Sequence, residues 1–125
     1  MDEKDFEIIP TINRTFVTME IVDTTFSREV VFDSHIETNQ VTFTFDFKPQ
    51  SNSEFYFTAQ YDVSFTQLTS ISNISRIIIT INDIVKFDGL ILSTPLVISA
   101  NDIVKVKVTK GFYSDGIFKL IGNTI

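Results

Sequence analysis

Without a single cysteine, this chain can form no disulfide framework and no thiolate site, and the redox state of its compartment leaves no trace in the sequence. Tryptophan is also missing and tyrosine occurs only at Tyr56, Tyr61 and Tyr113. Sugar-binding sandwiches commonly stack pyranose rings on exposed Trp or Tyr, so this scarcity counts against a lectin. There is one histidine, His35, in the polar stretch Asp33 to Gln40. With no cysteine and no second histidine beside it, the constellation for an activated nucleophile is lacking, and His35 reads as a surface loop residue. Only four glycines are present, so tight primed hairpins are expected to be few, with Asn, Asp and Ser forming most corners. No apolar run approaches the roughly 20 residues of a membrane helix. Ten basic against 16 acidic residues leave a formal charge of −6, which disfavours binding to nucleic-acid phosphates. Met1 to Phe6 holds three acids and one lysine, unlike a secretory leader. The expected place of synthesis is a cytoplasm.

What is abundant is phenylalanine, with 13 copies in 125 residues at 43% hydrophobic content. Phe has no polar handle, so the excess serves core or interface filling rather than polar ligand recognition. The length suits one domain. Met1–Asp5 is expected to be a mobile acidic tail, and residues 6–125 a single domain.

Hydrophobic periodicity is two throughout. Thr15 to Val22 alternates, with Val17, Met19 and Ile21 on one face. Phe6 to Ile12, with Pro10, reads as an edge strand, and Phe26 to Phe32 as a shorter strand before a polar connection. Val41 to Lys48 alternates most cleanly, with Val41, Phe43, Phe45 and Phe47 on one face and Thr42, Thr44, Asp46 and Lys48 on the other. Val63 and Phe65 continue the inward set, with a bulge expected at Gln60 and a polar link from Thr69 to Ser75. The same pentapeptide occurs twice, Asn82-Asp83-Ile84-Val85-Lys86 and Asn101-Asp102-Ile103-Val104-Lys105. Each copy reads as a turn followed by a strand. A three-residue loop at the first would set Ile79 opposite Phe87 and Ile81 opposite Val85, sorting the faces. A two-residue loop would set Ile79 opposite Lys86 and mix them, so the three-residue loop is the expected register. Asp88-Gly89 marks a further turn, and Val104, Val106 and Val108 point inward. Nine or ten strands with regular turn signals predict an all-β fold, a single antiparallel β-sandwich. An Ig-like Greek key and a small jelly roll both remain open.

Asp83, Asp88, Asp102 and Asp115 sit where turns need Asp. A calcium site could gather such corner carboxylates, but no calcium-loop spacing is present. Two sequon-like triplets, Asn13-Arg14-Thr15 and Asn73-Ile74-Ser75, carry no glycosylation signal without a leader. Phe55, Tyr56 and Phe57 in succession place aromatics on both faces of one strand, which requires cover on both sides or a partner on one. Lys105, Lys107 and Lys110 form a small basic stripe, either an edge guard or a docking surface for an acidic protein. The candidate interface is therefore Phe55, Tyr56, Phe57, Lys105 and Lys107. No residue is assigned to catalysis, a cofactor or a metal.

Leu96 to Val108, with Ile98, Ala100, Asn101-Asp102, Val104, Val106 and Val108, resembles the penultimate corner and strand of Ig-like modules, and Ile79 to Gly89 resembles the hairpin before it. In composition and style the chain is similar to accessory structural proteins of tailed bacteriophage particles: capsid decoration proteins, head-fibre bases, tail or baseplate modules. The resemblance implies a non-enzymatic virion component that docks to other virion proteins and to copies of itself as a homo-oligomer. It implies no cofactor, no nucleic-acid partner and no membrane partner. The alternative is a module binding a carbohydrate or another cell-surface ligand.

Overall fold

Alternation at period two decides the architecture. The computed structural model describes residues 12–13, 17–20, 30–50 and 53–125, in eleven strands: β1 (Ile12–Asn13), β2 (Val17–Glu20), β3 (Val30–Glu37), β4 (Gln40–Phe47), β5 (Glu54–Ala59), β6 (Val63–Ser72), β7 (Ile74–Ile81), β8 (Ile84–Gly89), β9 (Leu96–Ile98), β10 (Ile103–Lys110) and β11 (Gly116–Thr124). No helix occurs among the described residues, and no helix is long and apolar enough to cross a membrane. The strands form two antiparallel sheets, one of six in the order β1-β3-β4-β11-β6-β9 and one of five in the order β2-β5-β10-β7-β8. Their inner faces meet. Val41, Phe43, Phe45, Phe47, Val63, Phe65, Ile79, Val104, Val106 and Val108, the inward set of the sequence, are all buried.

Seven phenylalanines (Phe43, Phe45, Phe47, Phe55, Phe57, Phe65 and Phe118) are no more than 2% exposed. Each buried ring contributes about 1.5–3 kcal/mol by leaving water, and edge-on or offset contacts add to this. Phe45 and Phe118 stack with centroids 4.7 Å apart. Phe32 lies 5.0 to 5.5 Å from Phe45, Phe43, Phe55 and Phe57, so a residue of β3 joins the aromatics of both sheets.

Among the two sandwich topologies, strand order decides. Folding the chain back at β7–β8 pairs β7 with β8, β6 with β9, β5 with β10, and β4 with β11. That rolled-up hairpin, in sheets β4-β11-β6-β9 and β5-β10-β7-β8, is a jelly roll. It is not the Ig arrangement, so the likeness of Leu96 to Val108 to an Ig corner is local. The remaining described strands extend the roll at its edges: β1 and β3 beside β4, and β2 beside β5.

Several local expectations give way to pairing. Asp33 to Gln40 is not a loop. Val30 to Glu37 pairs in register with β4 through a two-residue turn at Thr38 and Asn39. Gln60 is not a bulge, because residues 60–62 carry the chain from β5 in one sheet to β6 in the other. The polar stretch Thr69 to Ser75 is mostly strand, and the sheets exchange at Asn73 alone, which has φ 60°. Asp88-Gly89 is the end of β8, and Leu90 to Leu92 is not a strand. The proposed tail at Met1–Asp5 and the strand centred on Pro10 lie outside the described residues, apart from Ile12.

The β7–β8 hairpin does not take the expected three-residue loop, and Ile81 does not face Val85. Its loop has two residues, Asn82 (φ 50°) and Asp83 (φ 69°), and Ile81 faces Ile84. A bulge at Lys86 then restores Ile79 opposite Phe87. Two successive positive φ values in L-residues suit Asn and Asp best. The Asn82 side chain also ties the two pentapeptide copies together: Nδ2 donates to Asp102 Oδ1 at 2.9 Å, and Oδ1 accepts from the Ile103 amide at 2.9 Å. Asn82→Gly should keep the turn but lose these bonds, at about 1 kcal/mol. Asn82→Ala adds the left-handed backbone penalty, for about 2 kcal/mol. Chemical denaturation of both variants separates the two contributions.

Candidate functional site

Strand register assembles the outer face of the five-stranded sheet. Lys105 faces Tyr56 on one side and Thr80 on the other, and Thr80 faces Val85. The next row is Glu54, Lys107, Ile78 and Asp88. Ile103 stands opposite Thr58. Three of the five residues singled out in the sequence therefore share one surface, around Tyr56, Lys105 and Lys107. Phe55 and Phe57 do not: they are 0% and 2% exposed and belong to the core. Their alternation with Tyr56 is ordinary strand geometry, so the aromatic run offers one ring outward rather than three.

The charges on this face are mostly neutralised. Lys107 Nζ lies 3.8 Å from Glu54 Oε2. Arg76 binds Asp88 in a two-pronged pair, Nε to Oδ1 and Nη2 to Oδ2, both 2.7 Å. Lys105 Nζ instead lies over the Tyr56 ring, 5.7 Å from its centroid, a cation–π contact. Apolar residues flank this basic centre: Val85 is 58% and Ile103 54% exposed.

The hydrogen bonds from Arg76, and its positive charge, hold the Asp88 carboxyl below the ordinary carboxylate range, and the same pair raises Arg76. The folded chain thus favours ionised Asp88. Its contribution is complete above the ordinary value of 3.8 and is lost as pH falls through the lower folded value. Asp88→Asn should melt below wild type at neutral pH, and the gap should close in acid. Thermal melts of both proteins from pH 7 down to about 2 check this.

The remaining candidates are dispersed. His35 is in β3, its Nε2 3.7 Å from Glu37 Oε1. Asp102 caps its own corner, accepting from the Ser99 amide at 2.8 Å, and Asp62 likewise accepts from the Ala100 amide at 2.8 Å. Asp83 and Asp102 lie at one end of the sandwich, Asp115 lies at the other, and Asp88 is held by Arg76. Among the described residues no three His, Cys, Asp or Glu side chains are grouped to hold a metal.

At the end opposite the Asn82 turn, the β10–β11 connection presents Phe112 and Tyr113, 43% and 76% exposed. Their rings are T-shaped at 4.9 Å. Lys110 Nζ fastens this loop by donating to the Gly111 and Ser114 carbonyls at 3.1 and 2.9 Å, and burial pushes its ammonium below the ordinary lysine range.

Sequence reasoning missed Ile78, Thr80, Val85, Ile103 and the Arg76–Asp88 pair on the outer face. Val85 and Ile103 lie in the two pentapeptide copies, so the repeat itself was the available signal. Comparison of the chain with protein-family models, with curated proteins and with solved structures found no match.

Proposed function

We propose that this protein is a non-enzymatic structural component of a virus particle of the tailed-bacteriophage kind, working by docking to other particle proteins and to copies of itself. The observation that carries the reading is the outer face of the five-stranded sheet, where exposed Val85 and Ile103 flank the Lys105–Tyr56 pair. Apolar groups around a basic, aromatic centre are suited to protein contact, since aromatic residues are enriched at interface cores. The jelly-roll strand order is compatible with this role, being common to capsid and lectin domains, and by itself it assigns no function.

Size-exclusion chromatography with light scattering, at low and high salt, tests the reading. The expected result is a concentration-dependent oligomer, and Tyr56→Ala together with Lys105→Ala, changed on the outer face, should weaken docking to other particle proteins without lowering the melting temperature by more than a few degrees. A monomer at every concentration, with no affinity for any particle protein, would sink it.

A second reading, a carbohydrate-binding module, is favoured by Tyr113 at the loop tip, 76% exposed beside Phe112. It expects a reproducible glycan-array signal that is lost in Tyr113→Ala.

A further inference from the structure

Among the described residues the five-stranded sheet ends on β8, which pairs with β7 on one side only. A hollow of about 220 Å³ lies between β8 and the following connection, lined by Lys86, Phe87 and Asp88 and by residues 91–96. An unpaired edge is a template for a further strand, and proteins guard such edges with bulges and lysines. Here both guards coincide at Lys86. The guard, however, is selective. A strand laid along β8 must place an acid opposite Lys86 or leave that ammonium facing an unfavourable neighbour.

β8 itself meets that condition. When two copies of β8 run antiparallel about a two-fold axis at Phe87, each Lys86 stands opposite the partner copy's Asp88. The same register sets Val85 opposite Gly89 and Phe87 opposite Phe87. Beyond the bulge, Phe87 and Asp88 keep regular register with β7, and Gly89 ends the strand at φ 146°. Asp88 would then lie between Arg76 of its own chain and the Lys86 ammonium of the other. Phe87 is half-buried against the core. We infer that β8 is a homotypic docking edge: two copies of this chain pair through Lys86 to Gly89, joining their five-stranded sheets into one ten-stranded sheet. An isologous contact of this kind closes on itself. The inference rests on the self-docking reading above and gives it a place and a register.

Charge reversal tests the register. Lys86→Glu alone sets two acids opposite each other, and Asp88→Lys alone sets two lysines opposite each other. Each should weaken self-association at least about tenfold in sedimentation or light scattering. A one-to-one mixture of the two variants restores opposite charges at both positions and should recover the wild-type affinity as a heterodimer. Asp88→Lys also removes the Arg76 pair, so a second measurement uses the natural absence of cysteine. Lys86→Cys mixed with Asp88→Cys should give a disulfide-linked dimer under mild oxidation, and neither variant alone should do so efficiently. Self-association of the wild type that neither charge variant weakens, or cross-linking no better in the mixture than alone, overturns the β8 edge and leaves self-docking standing. A wild type that is monomeric at all concentrations overturns both.

Discussion

Replacing Phe45 by alanine should lower stability by about 3–5 kcal/mol, the range for truncating a fully buried aromatic ring. The side chain is 0% exposed, in the middle of β4, and its ring meets Phe118 of the neighbouring β11 at 4.7 Å. It also meets Phe32 at 5.0 Å and Phe55, across the sandwich, at 6.0 Å. Removing it therefore opens a void bordered by both sheets, and the rigid rings around it cannot collapse to fill the space. For a domain of this size the melting temperature should fall by roughly 10–20 °C. Thermal and urea unfolding measure the loss directly. An unchanged melting temperature would mean that Phe45 does not face the core.

Gly122→Ala should be comparably severe for the opposite reason. Gly122 lies buried in β11, opposite Val41 on one side and Phe65 on the other, where the β11–β6 register shifts. A Cβ at this position would collide with the Ser64 carbonyl oxygen and would lie 2.5 Å from Phe65 Cα. These are backbone atoms of a paired strand, with no rotamer to change, so β6 and β11 would have to separate. A cost of about 3 kcal/mol or more is expected, at the upper end of overpacking effects. Gly111→Ala is the control: its nearest contact is the Ser114 hydroxyl at 3.2 Å, and unfolding should show it nearly neutral.

The core was legible because burial and alternation coincide in β4, β6 and β10, where one wet or half-wet face leaves a period-two signature. Pairing that needs little burial was not. The polar segment Asp33 to His35 and the tail of β6 from Gln67 to Ser72 are strands because β4 and β11 offer backbone partners to them, and backbone bonding leaves no hydrophobic mark. The repeated pentapeptide shows the limit most clearly. Val85 is 58% exposed and Val104 is 0% exposed, although the same five residues surround both. One copy lies on an edge strand with a bulge, the other between β5 and β7, so neighbours far along the chain decide burial. The candidate site was half legible for the same reason. Tyr56, Lys105 and Lys107 were found from side-chain type, whereas their grouping with Val85, Ile103 and Thr80 depends on cross-strand register that no local window contains.

The rolled hairpin also sets an order on the birth of the molecule. β11 occupies the position between β4 and β6, yet Gly116–Thr124 is synthesised after the ten other described strands. Until it emerges, β4 and β6 have no common neighbour, and the apolar face of the larger sheet has no continuous floor. At elongation rates of about 5–20 residues per second, a phenylalanine-rich half-sheet is exposed for several seconds before its last strand arrives. Such late, distant contacts slow folding, so a holdase or a cool growth temperature should raise the soluble yield on expression more than any increase in transcription.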